Sequence, residues 1–290
     1  MCGAFRRCWM PEGLRSAIVA LLVSCLWTLD ASAAGRILAT GGGVQVEGQA
    51  GGGIVPWAVI SGYGEAAEWG GAVALTRLEV DDFELDVAAV AVGLNNRFEV
   101  SYARQTLDVQ PLGLTIEQDV FGGKVRLAGD LIYGDLPQLS AGLQYKNNRD
   151  FAVPSSLGAD SRDGVDYYLA ASRLWLGGLW GRNVVGSLTL RSTEANQGGL
   201  LGFGAASGND REWVAEGSVG VFLNRHWVVG VEYRQKPDLL DAVQEEDWAD
   251  AFIGWFPNKR VALLAAWVDL GQIAGLPSQR GWYVSVQLNR

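Results

Sequence analysis

Histidine occurs once in the chain, at His226, and cysteine three times, at Cys2, Cys8 and Cys25. The one imidazole sits beside an expected short turn, next to Trp227, and nothing in the sequence marks a partner serine or a third group to orient it. A hydrolytic triad therefore has little to build on, and no catalytic residue is assigned. All three cysteines precede an expected cleavage site, so the processed chain has no thiol for disulfides, thiol catalysis or cysteine-based metal binding. Long apolar runs are missing too. After the leader the longest clear one is 261–268, well short of the roughly 20 residues a membrane helix needs, which excludes a helical membrane bundle. Basic tracts are absent as well. The formal charge of −9 disfavours nucleic acid, whose phosphates need Lys and Arg to neutralise them.

Residues 1–33 read as a signal peptide. Arg6, Arg7 and Arg15 make a basic n-region, 17–27 an apolar stretch, and Ala31-Ser32-Ala33 a small-x-small site with cutting before Ala34. A competing reading is Leu22-Val23-Ser24-Cys25, similar to the box that precedes a lipidated cysteine in bacterial lipoproteins, which would leave an acyl anchor. Removing the leader's three Arg with Glu12 and Asp30 takes the balance from 23 basic against 32 acidic residues to 20 against 30.

What is present is 49% hydrophobic residues, 39 Gly and 12 Trp, with periodicity of strand rather than helix type. In 226–236 one face carries Trp227, Val229, Val231 and Tyr233, and the other Gly230, Glu232, Arg234 and Lys236. An apolar band capped by rings, opposite a charged face, is what a barrel strand shows to lipid and to lumen. Similar segments are expected at 69–80, 83–94, 97–108, 118–133, 136–146, 167–176, 183–193, 212–223, 248–256, 261–270 and 281–290. They give a transmembrane antiparallel up-and-down β-barrel of about twelve strands, with short turns on one side, mostly longer loops on the other and both termini on the short-turn side. The barrel domain is then 69–290. Residues 34–68, with Thr40-Gly41-Gly42-Gly43 and Gly51-Gly52-Gly53, are either a plug in the lumen or one more hairpin, which would raise the count to about fourteen.

Face assignments extend this reading. Phe121, Val125, Leu127, Leu131 and Tyr133 share one side of their strand, with Lys124, Arg126 and Asp130 on the other. Leu139, Ala141, Leu143 and Tyr145 oppose Ser140, Gln144 and Lys146. Trp282, Val284, Val286 and Leu288 oppose Tyr283, Ser285, Gln287 and Asn289. Trp69, Trp180 and Trp227 fall near short turns, and Trp213, Trp248 and Trp282 near long loops, as two interfacial girdles. Less regular are 167–175, where Arg173 interrupts one face, and 261–270, apolar on both.

The blocks EGQAGGGIVPWAVISGYG (47–64), GLQYK (142–146), ANQGGLLGFG (195–204), EYRQKPD (232–238), WFPNKRVALLAAWVDLG (255–271) and QRGWYVSVQ (279–287) carry a resemblance. The chain resembles a family of uncharacterised Gram-negative outer-membrane proteins, catalogued as domain of unknown function 3034. That resemblance implies a barrel in the outer membrane and brings no activity or catalytic residues. Barrels often finish on an aromatic residue read by the barrel-assembly machinery, whereas this chain finishes Leu288-Asn289-Arg290, leaving Trp282 or Tyr283 to take that role.

Candidate sites are then few. Glu245-Glu246-Asp247 with Asp250, and Asp81-Asp82 with Glu84, offer oxygen atoms but no spaced calcium loop, so no metal is assigned. Gly202-Phe203-Gly204 with Gly208 lacks dinucleotide spacing, and no cofactor is expected. The luminal charges Lys124, Arg126, Asp130, Lys146, Arg191, Glu232, Arg234 and Lys236 are the pore-lining candidates, since charge inside a barrel sets solute selectivity. They point to a passive pore or solute-binding channel in the cell outer membrane, in contact with its lipid and lipopolysaccharide and passing small solutes. The alternatives are a closed structural or interaction barrel acting through its loops and, behind it, an outer-membrane esterase.

Overall fold

A computed structural model describes residues 36–290 apart from 206, 209, 210 and 241. The signal peptide, its cleavage site and the alternative lipidation box lie outside the described residues. Two short strands, β1 (Gly43–Val44) and β2 (Ala50–Gly51), pair only with each other. The remaining twelve close into one antiparallel barrel: β3 (Trp69–Val80), β4 (Phe83–Leu94), β5 (Phe98–Val109), β6 (Leu114–Ala128), β7 (Gln138–Asn148), β8 (Asp163–Leu179), β9 (Arg182–Thr193), β10 (Glu212–Phe222), β11 (Trp227–Arg234), β12 (Trp248–Asn258), β13 (Val261–Asp269) and β14 (Arg280–Asn289). Each pairs with its sequence neighbours, and β14 closes on β3 through partners such as Val284↔Arg77. The twelve-stranded reading holds, with strand ends close to those expected.

Alternation along the strands divides the wall into two faces. Leu75, Val90, Val100, Leu143, Leu169, Leu188, Val219, Val231, Ile253 and Val286 are exposed on the outside, while luminal neighbours such as Gln105, Ser140, Asp166, Thr189 and Ser285 are buried. Apolar outward and polar inward is the inverse of a soluble barrel and suits hydrocarbon outside. Exposed rings border this band: Trp69, Trp175, Trp180, Trp227 and Trp255 toward the short turns, Trp213, Trp267 and Trp282 toward the long loops. Trp227 stacks on Trp255 at 5.5 Å, and Trp267 meets Trp282 edge-on at 4.9 Å.

Three local expectations change. Trp248 is luminal rather than part of the girdle, buried beneath Arg234 and Lys236, whose cationic groups stand 5.2 and 5.4 Å from its ring centroid. The expected segment 118–133, observed as β6, stops at Ala128, after a register shift between Arg126 and Ala128. Gly129, at φ 74°, turns the chain out of the strand, so Leu131 tucks inward while Tyr133 is exposed, and the two do not share a face. The run 261–270 is apolar on both sides because Ala262, Leu264, Ala266 and Val268 are buried toward a filled lumen.

That filling is the chain's own residues 36–64. From Thr40 to Gly64 every residue is buried. The segment touches the wall all round: Val44 N–H donates to Gln287 on β14, Ala58 N–H to Ser172 on β8, and Thr189 on β9 donates to the Pro56 carbonyl, at 2.8, 2.8 and 2.7 Å. Its two ends meet at the short-turn mouth. Arg36 donates to the Gly62 carbonyl at 2.8 Å, and Tyr63 N–H to the Arg290 carbonyl at 3.1 Å. Gly62 is required there, since φ is 78° and a Cβ would lie 2.2 Å from the Gly71 nitrogen.

Candidate functional site

Where the luminal segment turns back on itself, at 45–49, its Glu47 projects into the wall. One carboxylate receives three cations from three strands. Oε1 is 2.6 Å from Lys146 Nζ on β7 and 2.6 Å from Arg234 Nη2 on β11, and Oε2 is 3.2 Å from Arg191 Nη2 on β9. Two wall carboxylates complete the set. Asp166 on β8 meets Lys146 at 2.7 Å and Arg191 at 3.1 Å, and Glu216 on β10 meets Arg191 Nε at 2.5 Å. All six side chains are at most 5% exposed. Charges this far from water persist only when paired and hydrogen-bonded.

Neutral groups fill in around them. Gln144 accepts from Arg191 at 2.6 Å and donates to Gln49 Oε1 at 2.9 Å, and Tyr168 donates to that same oxygen at 2.8 Å. Residues 194–205 of the long loop after β9 fold over this end. Among them Gln197 accepts from Lys236 Nζ at 3.0 Å, and its N–H donates to Glu245 at 3.2 Å.

The other candidates hold the segment differently. Glu232 accepts the N–H groups of Gly53 and Ile54 at 2.6 and 2.8 Å. A Cβ on the adjacent Gly52 would stand 1.8 Å from Glu232 Oε1, which is why glycine suits that position. Lys124 donates to the Ala50 and Val59 carbonyls at 2.9 and 3.0 Å, while pairing with Glu99 at 3.2 Å. Thus Lys124, Lys146, Arg191, Glu232, Arg234 and Lys236 are all drawn to the luminal segment or to the loop above it. Arg126 and Asp130 are not. They pair with each other at 3.0 Å at the short-turn mouth, half-buried, and Asp130 also accepts the Ile132 and Tyr133 N–H groups.

Glu47, Glu99, Asp166 and Glu216 were missed by sequence reasoning as members of this set. Asp166 and Glu216 sit at the inward positions of strands whose alternation was legible. Glu47 lies in a segment with no strand period at all.

Beneath the charges, toward the short turns, the segment packs on carbon. Two voids of about 20 and about 10 Å³ lie there, bordered by Trp57, Val185, Phe222 and Ala39. Each has room for about one water-sized sphere.

His226 stands at the short-turn rim, its Nδ1 2.7 Å from the Phe256 carbonyl and its Nε2 accepting from Arg225 Nε at 2.8 Å. The acidic candidates disperse in space. Asp82 accepts from Gln279, Glu84 pairs with Arg77, Glu245 with Lys236, and Asp247 accepts from the Tyr233 hydroxyl.

The family model described as "Protein of unknown function (DUF3034)" matches residues 40–287. No curated protein matches. Among solved structures the chain is similar to a KdgM porin (9% identity, 75% of this chain and 98% of that one, TM-score 0.49). It is also similar to an outer-membrane channel from Pseudomonas putida F1 (12%, 82% and 96%, 0.46) and to outer-membrane phospholipase A from Escherichia coli (8%, 79% and 94%, 0.37). These likenesses leave cargo and chemistry to this chain's own residues.

Proposed function

The chain belongs to the DUF3034 family and is an outer-membrane β-barrel, and we propose that it is a passive channel for small solutes, closed in this conformation by its residues 36–64. One observation carries the reading: the luminal segment enters and leaves by the same mouth and adds no strand to the wall. A loop inserted in this way withdraws without threading and without breaking a single wall ladder. A structural filling has no need of that arrangement, and side chains alone fill small barrels. Outer-membrane lipid and lipopolysaccharide surround the wall, and the barrel-assembly machinery inserts it.

A second reading, a closed interaction barrel acting through its loops, is favoured by the long-loop side. Phe203, buried, bridges to Ser161 and to Ala195, so that two long loops form one cap. The two readings part in planar bilayers. The processed chain has no cysteine, so Ala58→Cys with Ser172→Cys gives a clean reversible tether between segment and wall. A channel opens intermittently when the tether is reduced and falls silent when it is oxidised. A folded barrel silent in both states, and silent also after deletion of 36–64, would make the loops its working part.

A further inference from the structure

We propose that Lys146, Arg191 and Arg234 are a carboxylate-binding site that Glu47 occupies as a tethered internal ligand, and that the solute admitted is a small carboxylate that takes its place. The inference rests on the channel reading and names the chemistry of its cargo. Three charge-assisted donors from three different strands converge on the two oxygens of one carboxylate, at 2.6, 2.6 and 3.2 Å. Such convergence matches the flat, two-oxygen shape of that group.

The balance of charge shows what withdrawal entails. Five members of the cluster belong to the wall: the cations Lys146, Arg191 and Arg234, and the anions Asp166 and Glu216. Only Glu47 belongs to the movable segment, and it makes the numbers equal. Pulling it away leaves a buried cation uncompensated, which is strongly unfavourable. An anion of the same shape removes that obstacle. A ligand shifts a two-state equilibrium only as far as it prefers one state, and this one binds only where Glu47 has left.

Departure of the segment also removes Gln49, the shared acceptor of Gln144 and Tyr168. The Gln144 amide and the Tyr168 hydroxyl then have hydrogens to donate beside the cations, so the preferred carboxylate carries a second oxygen-bearing group, as succinate does. The Trp248 ring lies against Arg234 and Lys236 and adds an apolar surface beside the cations.

The test is calorimetric titration of the refolded processed chain in detergent with succinate, its neutral diamide and inorganic phosphate. Glu47→Gln keeps the shape of the internal ligand and discards its charge, so the variant should bind succinate at least about tenfold more tightly than the native chain, the range set by loss of one charge-assisted competitor. Neither protein should bind the diamide. Equal affinity in the two proteins, or phosphate bound as tightly as succinate, would overturn the proposal. A second measurement needs no substitution: in the native chain succinate, and not the diamide, should speed hydrogen exchange at the Gly53 and Ile54 amides about tenfold. Unchanged exchange would equally overturn it. Both readouts are independent of current through the barrel. A chain that conducts but ignores succinate sinks this inference alone, and one that never conducts sinks the channel reading.

Discussion

On each of four consecutive strands the luminal face carries a charge toward the long loops and carbon toward the short turns. The pairs are Asp166 and Leu174 on β8, Arg191 and Val185 on β9, Glu216 and Phe222 on β10, and Arg234 and Val228 on β11. Each pair is an even number of residues apart, so both members point inward by the two-residue period of a strand. The same wall therefore grips the upper part of residues 36–64 through ion pairs and the lower part through apolar contact. The two grips fail differently. Apolar contact is non-directional and weakens gradually as area is lost, whereas a buried ion network is costly as soon as one member leaves without a replacement. A segment held this way has a conditional lock at one end and an adaptable seat at the other.

The largest expected effect comes from breaking the upper grip. Arg191→Met removes the cation shared by Glu47, Asp166 and Glu216 and leaves three buried carboxylates to two cations. Removing one partner of a buried pair costs about 3–5 kcal/mol. The loss should appear in urea unfolding of the detergent-refolded barrel, and restoring the charge as Arg191→Lys should recover part of it. A loss below about 1 kcal/mol, the value typical of exposed pairs, would mean that water reaches the cluster.

The lower grip should respond less sharply. Leu264→Ala deletes carbon beside a void already about 20 Å³ in volume. Large-to-small core changes cost about 2–5 kcal/mol, least where surroundings can close in, and a glycine-rich segment is well placed to do so. The expected loss lies toward the low end, is unaffected by salt, and should leave exchange at the Ile132 and Tyr133 amides unchanged. A loss equal to that of Arg191→Met would erase the distinction between the two ends.

How much of this was legible beforehand follows from where alternation is strong. The wall was readable because each strand shows lipid one face and the lumen another, and because Trp and Tyr mark the ends. Trp248 shows the limit. A ring at a strand end reads as a girdle residue until it is known that Arg234 and Lys236, one strand away, sit over it. The sixth strand was carried too far because Leu131 and Tyr133 keep the strand period by coincidence after Gly129 has turned the chain. The wall half of the luminal site was partly legible, since Lys146, Arg191 and Arg234 fall at inward positions. Glu47 was not, because residues 36–64 take their shape from what surrounds them, and no local period encodes a fold imposed by a container.

The smallest effect, and the one that most sharpens the contrast between mouths, is in pH. Glu245, in the long-loop cap, is pushed above the ordinary carboxylate range by burial, which the nearby Lys236 and the Gln197 N–H only partly offset. Asp130, at the short-turn mouth, is also raised by burial, but the Tyr133 and Ile132 N–H groups and Arg126 outweigh it and hold it below that range. The signs are opposite. A raised folded value means that the folded loop binds its proton more tightly than the unfolded chain, so the contribution of Glu245 is full below the ordinary carboxylate value and is lost as pH rises through the folded one. For Asp130 the contribution is present above the ordinary value and is lost as pH falls through the folded one. Exchange at the Gln197 amide should therefore quicken as pH rises from that range, and exchange at Ile132 and Tyr133 should quicken as pH falls from it, after correction for intrinsic rates. Parallel trends at the two mouths would show that the two carboxylates share one environment, and that the polarity read along β8–β11 ends inside the barrel and does not reach its rims.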